Sequence, residues 1–228
     1  MTTEKLPVLA ILGGTGDLGT GLARRWAQAG YCVIIGSRTL EKAEAAVADL
    51  REVMAERGVA AVTVRAMANA EAAREADIVT LTVPFSHQVS TLESVRSGLQ
   101  GKILIDVTVP LVPPRVARVQ LPPQGSAGQI AQELLGDEVS VVSAFQNVAA
   151  AHLQEGKGVE CDVLVCGNKK DAREQVIKLV EAAGMRGFHA GMIDNAAAAE
   201  ALTSVLIVIN KQYNCHAGIK ISGLNDAG

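Results

Sequence analysis

Residues 7–12 (PVLAIL) are a short apolar run, long enough for one buried strand. A polar, glycine-rich loop follows, and Leu18, Leu22, Ala23 and Trp26 then recur at helical spacing. The pattern predicts strand, Gly-rich turn, helix, and the alternation continues. Residues 31–36 (YCVIIG) read as a second buried strand, and 40–57 as a helix that Gly58 can cap. Residues 59–65 (VAAVTVR) read as a third strand and 69–75 as a short helix. The nearly unbroken β-branched run at 77–83 (DIVTLTV) predicts a strand buried on both faces, and 102–107 (KILIDV) a fifth.

Residues 111–129 depart from the pattern. Pro113, Pro114, Pro122, Pro123, Gly125 and Gly128 predict a loop, placed as a flap over the site. Residues 129–135 begin a helix and 139–144 (VSVVSA) form the sixth strand. The remainder reads as strand 162–166, helix 171–183, strand 187–189 and a long helix from Asn195 to about Tyr213, N-capped by Asp194. That helix is apolar nearly all round, which predicts burial. The architecture expected is α/β, a doubly wound, mostly parallel sheet. It divides into a nucleotide-binding domain, 1–145, and a smaller C-terminal α/β domain, 146–228, packed closely on it.

Composition narrows the partners. The 228 residues are 49% hydrophobic and carry a net charge of −3. With no basic block, neither nucleic acid nor an acidic membrane surface is expected as a partner. The N-terminal apolar run is too short for a signal peptide and no segment reads as a bilayer span, so a cytoplasmic protein is expected. Cys32, Cys161, Cys166 and Cys215 form no C-x-x-C pair, so reduced, largely buried thiols and no metal site are expected. Aromatics are only 3%, so stacking on aromatic side chains is not expected to dominate a site.

Gly14-Thr15-Gly16-Asp17-Leu18-Gly19 fits G-x-G-x-x-G in the context that gives it meaning, between a strand and a helix. Gly14 would permit the turn, Gly16 the approach of a pyrophosphate, and Gly19 the packing of helix on strand. The new helix then presents free N–H groups to the anion. The second predicted strand ends in Ser37-Arg38-Thr39, with Lys42 one helical turn on. An NAD site usually places a carboxylate there for the ribose 2′-hydroxyl. Hydroxyls and cations suit a 2′-phosphate instead, so the expected cofactor is NADP. The fourth strand ends in Pro84-Phe85-Ser86-His87, at the carboxyl edge where such sheets bind ligands.

Several runs together resemble one family, the NADP-dependent oxidoreductases of the deazaflavin coenzyme F420. They are ILGGTGDLGTGLA, IIGSR followed by EKAEA, LTVPFSHQV, VVSAFQNVAA and the tail HAGIKISGL, spread over nearly the whole chain. The resemblance implies a Rossmann domain with a small C-terminal domain, a homodimer, and hydride exchange between NADPH and the deazaflavin. By resemblance, Thr15 to Leu18 contact the pyrophosphate, and Ser37, Arg38 and Lys42 hold the 2′-phosphate. Val83, Pro84, Phe85, His87, Val89 and Ala150 lie along the nicotinamide half. Coenzyme F420, the second substrate, sits against Gln146, Val148, Ala217 and Gly218. Some members carry histidine at the position of Gln146 and proline at that of Ala149.

His87, Gln146 and His216 are candidates for orienting the rings. There is no Ser-His-Asp order, no paired carboxylates and no Ser-Tyr-x-x-x-Lys set; Tyr31 and Tyr213 are the only tyrosines. Hydride exchange between two ring cofactors needs mainly proximity and orientation. Two other readings stand beside it: an NADPH-dependent reductase of another acceptor (a flavin-like ring, an imine or a ferric chelate), and a non-catalytic NADP sensor.

Overall fold

The structure is a computed structural model that describes residues 5–59, 62–155 and 158–223. Strand and helix alternate from the first motif onward: β1 (Leu9–Leu12), α1 (Asp17–Gln28), β2 (Val33–Ser37), α2 (Leu40–Glu56), β3 (Val64–Ala68), α3 (Asn69–Glu75) and β4 (Ile78–Leu81). There follow α4 (Gln88–Val95), β5 (Ile103–Asp106), α5 (Ala127–Leu135), β6 (Ser140–Ser143), α6 (Ala150–Gln154), β7 (Asp162–Gly167), α7 (Lys170–Ala182), β8 (Arg186–His189) and α8 (Ala196–Tyr213).

The eight strands form one sheet in the order β3-β2-β1-β4-β5-β6-β7-β8. All neighbours run parallel except β6 and β7. The crossover from β3 back past β1 to β4 makes the sheet doubly wound and opens a crevice at the carboxyl ends of β1 and β4. Every residue of β1, β2, β4 and β5 is buried, as a parallel sheet covered on both faces requires. Leu9 and Ile11 point into one core with Leu22, Trp26, Leu50, Val176 and Leu179, from α1, α2 and α7. Ala10 and Leu12 point into the other with Ala72, Leu92, Ala131 and Ala196, from α3, α4, α5 and α8. Past β6 the chain turns at Phe145, whose φ of 72° is left-handed although it is not glycine. Its ring is buried edge-on against Trp26, centroids 6.1 Å apart.

Several expectations change. The third strand occupies 64–68, not 59–65 (residues 60 and 61 lie outside the described residues), because β2 draws it into register, Val33 opposite Val64 and Ser37 opposite Ala68. Two helices without a sequence signature, α4 and α6, form where the chain leaves the carboxyl ends of β4 and β6. Asp194 does not cap α8. That position is Asn195, and the Asp194 carboxylate accepts from Gln129 Nε2.

The long helix is not buried all round. Ala196, Ala199, Glu200, Ser204 and Leu206 face the protein, while Val205 and Val208 are 45% and 48% exposed. It packs against only one side of the fold, so its apolar composition outruns the surface available to cover it. Residues 193–213 are also long and apolar enough, by length and composition, to cross a membrane, which corrects the expectation that no segment is. Of the cysteines only Cys161 and Cys166 are buried; Cys32 is half-buried and Cys215 exposed, against the expectation of largely buried thiols.

Candidate functional site

The turn between β1 and α1 is built by close approaches that only glycine allows. Gly13 has φ +68°, and a Cβ there would lie 2.5 Å from Val83 Cγ1. The left-handed residue of the turn is Gly13, the first of the Gly13-Gly14 pair that ends the apolar run. A Cβ at Gly14 would meet the Ile11 carbonyl oxygen at 2.7 Å. At Gly19 it would meet Gly14 Cα at 2.7 Å and Thr82 Oγ1 at 2.9 Å. Gly16 differs: nothing lies within 4 Å of its added Cβ. Its smallness serves no contact inside the chain and leaves the backbone open to an approaching group. The Thr20 N–H to Gly16 C=O bond closes the first turn of α1, so the preceding helical N–H groups have no intrahelical acceptor. A cradle of this form fits a pyrophosphate.

A cleft of about 530 Å³ runs from this cradle along the sheet edge. It joins Thr15 and Gly16 to Ser37, Arg38 and Lys42 on one side, and to Val83, Pro84 and His87 on the other. Arg38 and Lys42 are exposed, Ser37 is buried, and among the described residues no carboxylate lines the cleft. Gly14 lies buried beneath the cradle floor. Asp17 lines a separate groove with Arg24, Lys42 and Asp49, and Leu18 packs on the core. Phe85, Val89 and Ala150 do not line the cleft. Sequence reasoning missed Asn69, Thr82, Ser90 and Thr91, which do. Asn69 directly follows β3, and its Oδ1 accepts from the Gly13 N–H at 3.4 Å. Its place at a strand's carboxyl end was the available signal. Ser90 and Thr91 lie on α4, a helix that carried none.

A second cavity of about 420 Å³, sharing no lining residue with the first, is lined by Ala149, His152, Glu155, Glu160, Cys161 and the tail from His216 to Gly218. The tail that forms its wall is pinned. The Asp162 N–H donates to the Ile219 carbonyl at 2.8 Å, and the Ile221 N–H to Asp162 Oδ2 at 2.6 Å. Asn210 Oδ1 accepts from the Ala217 N–H at 2.6 Å. A Cβ at Gly218 would lie 2.7 Å from Cys161 Sγ, so the glycine lets the tail dock. The His152 and His216 rings meet edge-on, centroids 5.5 Å apart. Burial opposes the charge of Asp162, but the Arg186 fork at 2.8 and 2.9 Å and the Ile221 N–H hold its carboxyl below the usual range. Gln146 faces inward, its Nε2 donating to the Asp106 carbonyl and Ser143 Oγ, both at 2.8 Å. Val148 packs on the core beside it.

A buried polar group gathers around the tip of β5. Asp106, at the tip of β5, is 1% exposed, and burial raises its carboxyl. Its Oδ1 accepts from the Thr108 N–H at 2.9 Å and its Oδ2 from Gln88 Nε2 at 2.5 Å. Glu200, on α8, is equally buried and accepts from the Ala127 and Gly128 N–H groups at 2.7 and 3.0 Å. Burial pushes Glu200 up to about 8, helped by the charge of Asp106 and opposed by the two N–H donors. Among the described residues no cluster suits a metal ion.

Residues 8–110 match the family model described as NADP oxidoreductase, coenzyme F420-dependent. The chain is 40% identical to the F420-dependent NADP reductase of Methanocaldococcus jannaschii, over 95% of this chain and 98% of that one. It is 42% identical to that of Methanothermobacter marburgensis, over the same shares. Among solved structures, a protein of Arthrobacter sp. FB24 assigned as an F420-dependent NADP reductase superposes with a TM-score of 0.80 at 25% identity. That match covers 96% of this chain and all of the other.

The raised carboxyl of Glu200 sets a direction for stability against pH. An unfolded glutamate ionises near ~4.3, whereas the folded one holds its proton to about 8. The stabilisation is complete below the unfolded value and is lost as pH rises through the folded one. The melting temperature is expected to fall between pH ~5 and ~8.5, with a shallower fall in Glu200→Gln, which cannot titrate. Thermal unfolding followed by circular dichroism at several pH values measures both slopes, and equal slopes would contradict the assignment.

Proposed function

The chain belongs to the family of F420-dependent NADP reductases, and from that membership we infer that it is an oxidoreductase passing hydride between NADP(H) and the deazaflavin coenzyme F420. Similarity along 95% of the chain, from the glycine turn to the tail, carries the inference. The open space over Gly16, beside Ser37, Arg38 and Lys42, fits the nucleotide half.

We propose these roles. The N–H groups from Thr15 to Leu18 hold the pyrophosphate, with Gly16 leaving room for it and Gly14 beneath them shaping the turn. Ser37, Arg38 and Lys42 hold the 2′-phosphate by charge-assisted hydrogen bonds. Val83, Pro84 and His87 of the 83–89 segment, which line the cleft, flank the nicotinamide, and Ala217 and Gly218, which line the second cavity, flank the second ring. His87 and His216 orient rings. With no carboxylate in the cleft, the residues contribute position, and hydride passes between the rings directly. The division between nucleotide half and C-terminal part falls after Phe145, where the left-handed turn sends the chain toward the antiparallel β7. The four unpaired cysteines favour a reducing, cytoplasmic setting.

A homodimer is proposed from the outer face of α8. Val205 and Val208 are exposed there, and Ser204 Oγ ties α8 to the loop at the Val116 and Arg118 carbonyls. Val112, Val119 and Leu121 of that loop are exposed as well. A second copy would cover such a face. Light scattering is expected to give twice the chain mass, and Val205→Glu with Val208→Glu the single-chain mass. A monomeric natural protein would exclude the reading.

Nucleotide choice is the second check. NADPH is expected to bind more tightly than NADH by at least ~1–3 kcal/mol, the scale of one or two charge-assisted bonds. Arg38→Glu should abolish or invert that preference by calorimetry, and equal affinity of the natural protein for both nucleotides would refute the assignment. Transfer itself is the third. Deuterium on the transferring face of NADPH is expected at the reacting carbon of the reduced deazaflavin, seen by mass spectrometry. Its appearance in solvent would exclude direct transfer.

A further inference from the structure

Gln88 follows His87 directly and is fully buried, yet it is polar. Its Nε2 donates twice, to Asp106 Oδ2 at 2.5 Å and to the Ala127 carbonyl at 2.8 Å. Its Oε1 has no partner among the described residues. Turning the amide over would aim Oε1 at a carboxylate oxygen and a carbonyl, both acceptors, so only one orientation is allowed. The two acceptors belong to different elements. Asp106 ends β5 and also receives the Thr108 N–H. Ala127 begins α5, and its own N–H is held by Glu200 of α8. Three residues along α8 from Glu200, Thr203 Oγ1 donates to the Gln146 carbonyl at 2.9 Å. Buried hydrogen bonds therefore run from Gln88, beside the cleft residue His87, to Glu200, and the α8 backbone and the half-buried Thr203 bond continue the connection to the segment beyond β6.

Stability alone does not account for this group. Two buried carboxyl groups and an amide with an unmet acceptor are a poor exchange for apolar residues of the same volume. What such a group supplies is a fixed direction and spacing between elements.

We propose that Gln88 is a positioning residue for hydride transfer, its amide locking the His87 segment to Asp106 at the tip of β5 and, through Ala127, to Glu200 on α8. This rests on the reading above that the nicotinamide lies along residues 83–89. The lock sets where the nicotinamide sits against the second ring without touching either. Because donor and rings share one rigid frame, loosening it changes the separation of the reacting carbons, on which the rate depends steeply.

The test uses the full chain with NADPH and oxidised coenzyme F420. Gln88→Met keeps the volume and removes both hydrogen bonds. It is expected to lower kcat by ~10–100-fold, the scale of a displacement of about 1 Å. KM for NADPH should stay within about threefold, since the phosphate contacts on α1 and β2 are untouched. Hydrogen exchange at residues 84–91 should accelerate severalfold while that of β7 and α7 is unchanged. Gln88→Glu should be as slow, because it sets a carboxylate against Asp106 and the Ala127 carbonyl. Adding Asp106→Asn to Gln88→Glu rebuilds an amide–carboxylate pair in the reverse direction and should recover about tenfold of the lost kcat; that comparison carries the test if Gln88→Met does not fold. Unchanged kcat, a loss confined to KM, or no recovery in the double variant would overturn the proposal. If the natural protein did not reduce coenzyme F420, the functional reading would fall by itself. The exchange measurement would still judge the lock, and unchanged exchange at 84–91 would overturn it.

Discussion

The approach of α1 to the tips of β1 and β4 governs the rest of the structure. Gly19 lies so close to Gly14 and Thr82 that one methyl group would force helix and sheet apart. That contact fixes the helix axis, and the axis aims the unbonded N–H groups of the first turn over Gly16. The cleft inherits its depth from the same contact. Ser37 and Arg38 at the end of β2, and Val83 and Pro84 past β4, are set at either side of α1 by the parallel registers of β1 with β2 and β4. Moving the helix outward would shift cradle, cations and strand ends relative to one another together.

The chemistry of the cleft matches the reaction of the family. Its walls carry hydroxyls, two exposed cations and apolar strand ends, with no acid or base pair. Hydroxyls and cations are groups that bind phosphate well, and apolar strand ends are groups that pack on a flat ring. Hydride exchange between two rings that each store the electrons asks for little more than orientation. The demand on the protein is rigidity, and the buried polar group beside the cleft is where that rigidity is concentrated. Asp106, Gln88 and Glu200 connect β5, α4, α5 and α8 through hydrogen bonds that apolar packing could not aim.

α8 serves two surfaces. Its inner face carries Glu200, Thr203 and Ser204, which bond to α5, the segment after β6 and the long loop. Its outer face presents Val205 and Val208. The tail that follows is clamped along Cys161 and Asp162, so the same helix also delivers the wall of the second cavity. A helix that is apolar in composition thus docks through polar contacts as well as through Ala196, Ala199 and Leu206.

Periodicity and glycine spacing determined the doubly wound class, the order of the strands through β6 and the glycine turn at Thr15–Gly16, and the residue types after β2 marked out Ser37, Arg38 and Lys42. These were legible because they are local: an apolar run of strand length, a turn that needs glycine, and side chains within a few residues of a strand end. Tertiary structure alone decided the rest. It moved β3 to 64–68, because register with β2 outweighs the β propensity of residues 59–63. It set Val83, 70 residues away, so close to Gly13 that no Cβ fits there. It brought Asn69, Ser90 and Thr91 to the cleft and buried Gln88 between Asp106 and Ala127, pairings that no spacing along the chain encodes. It also left α8 half uncovered. Composition states how apolar a helix is, but burial depends on what the fold sets against each face.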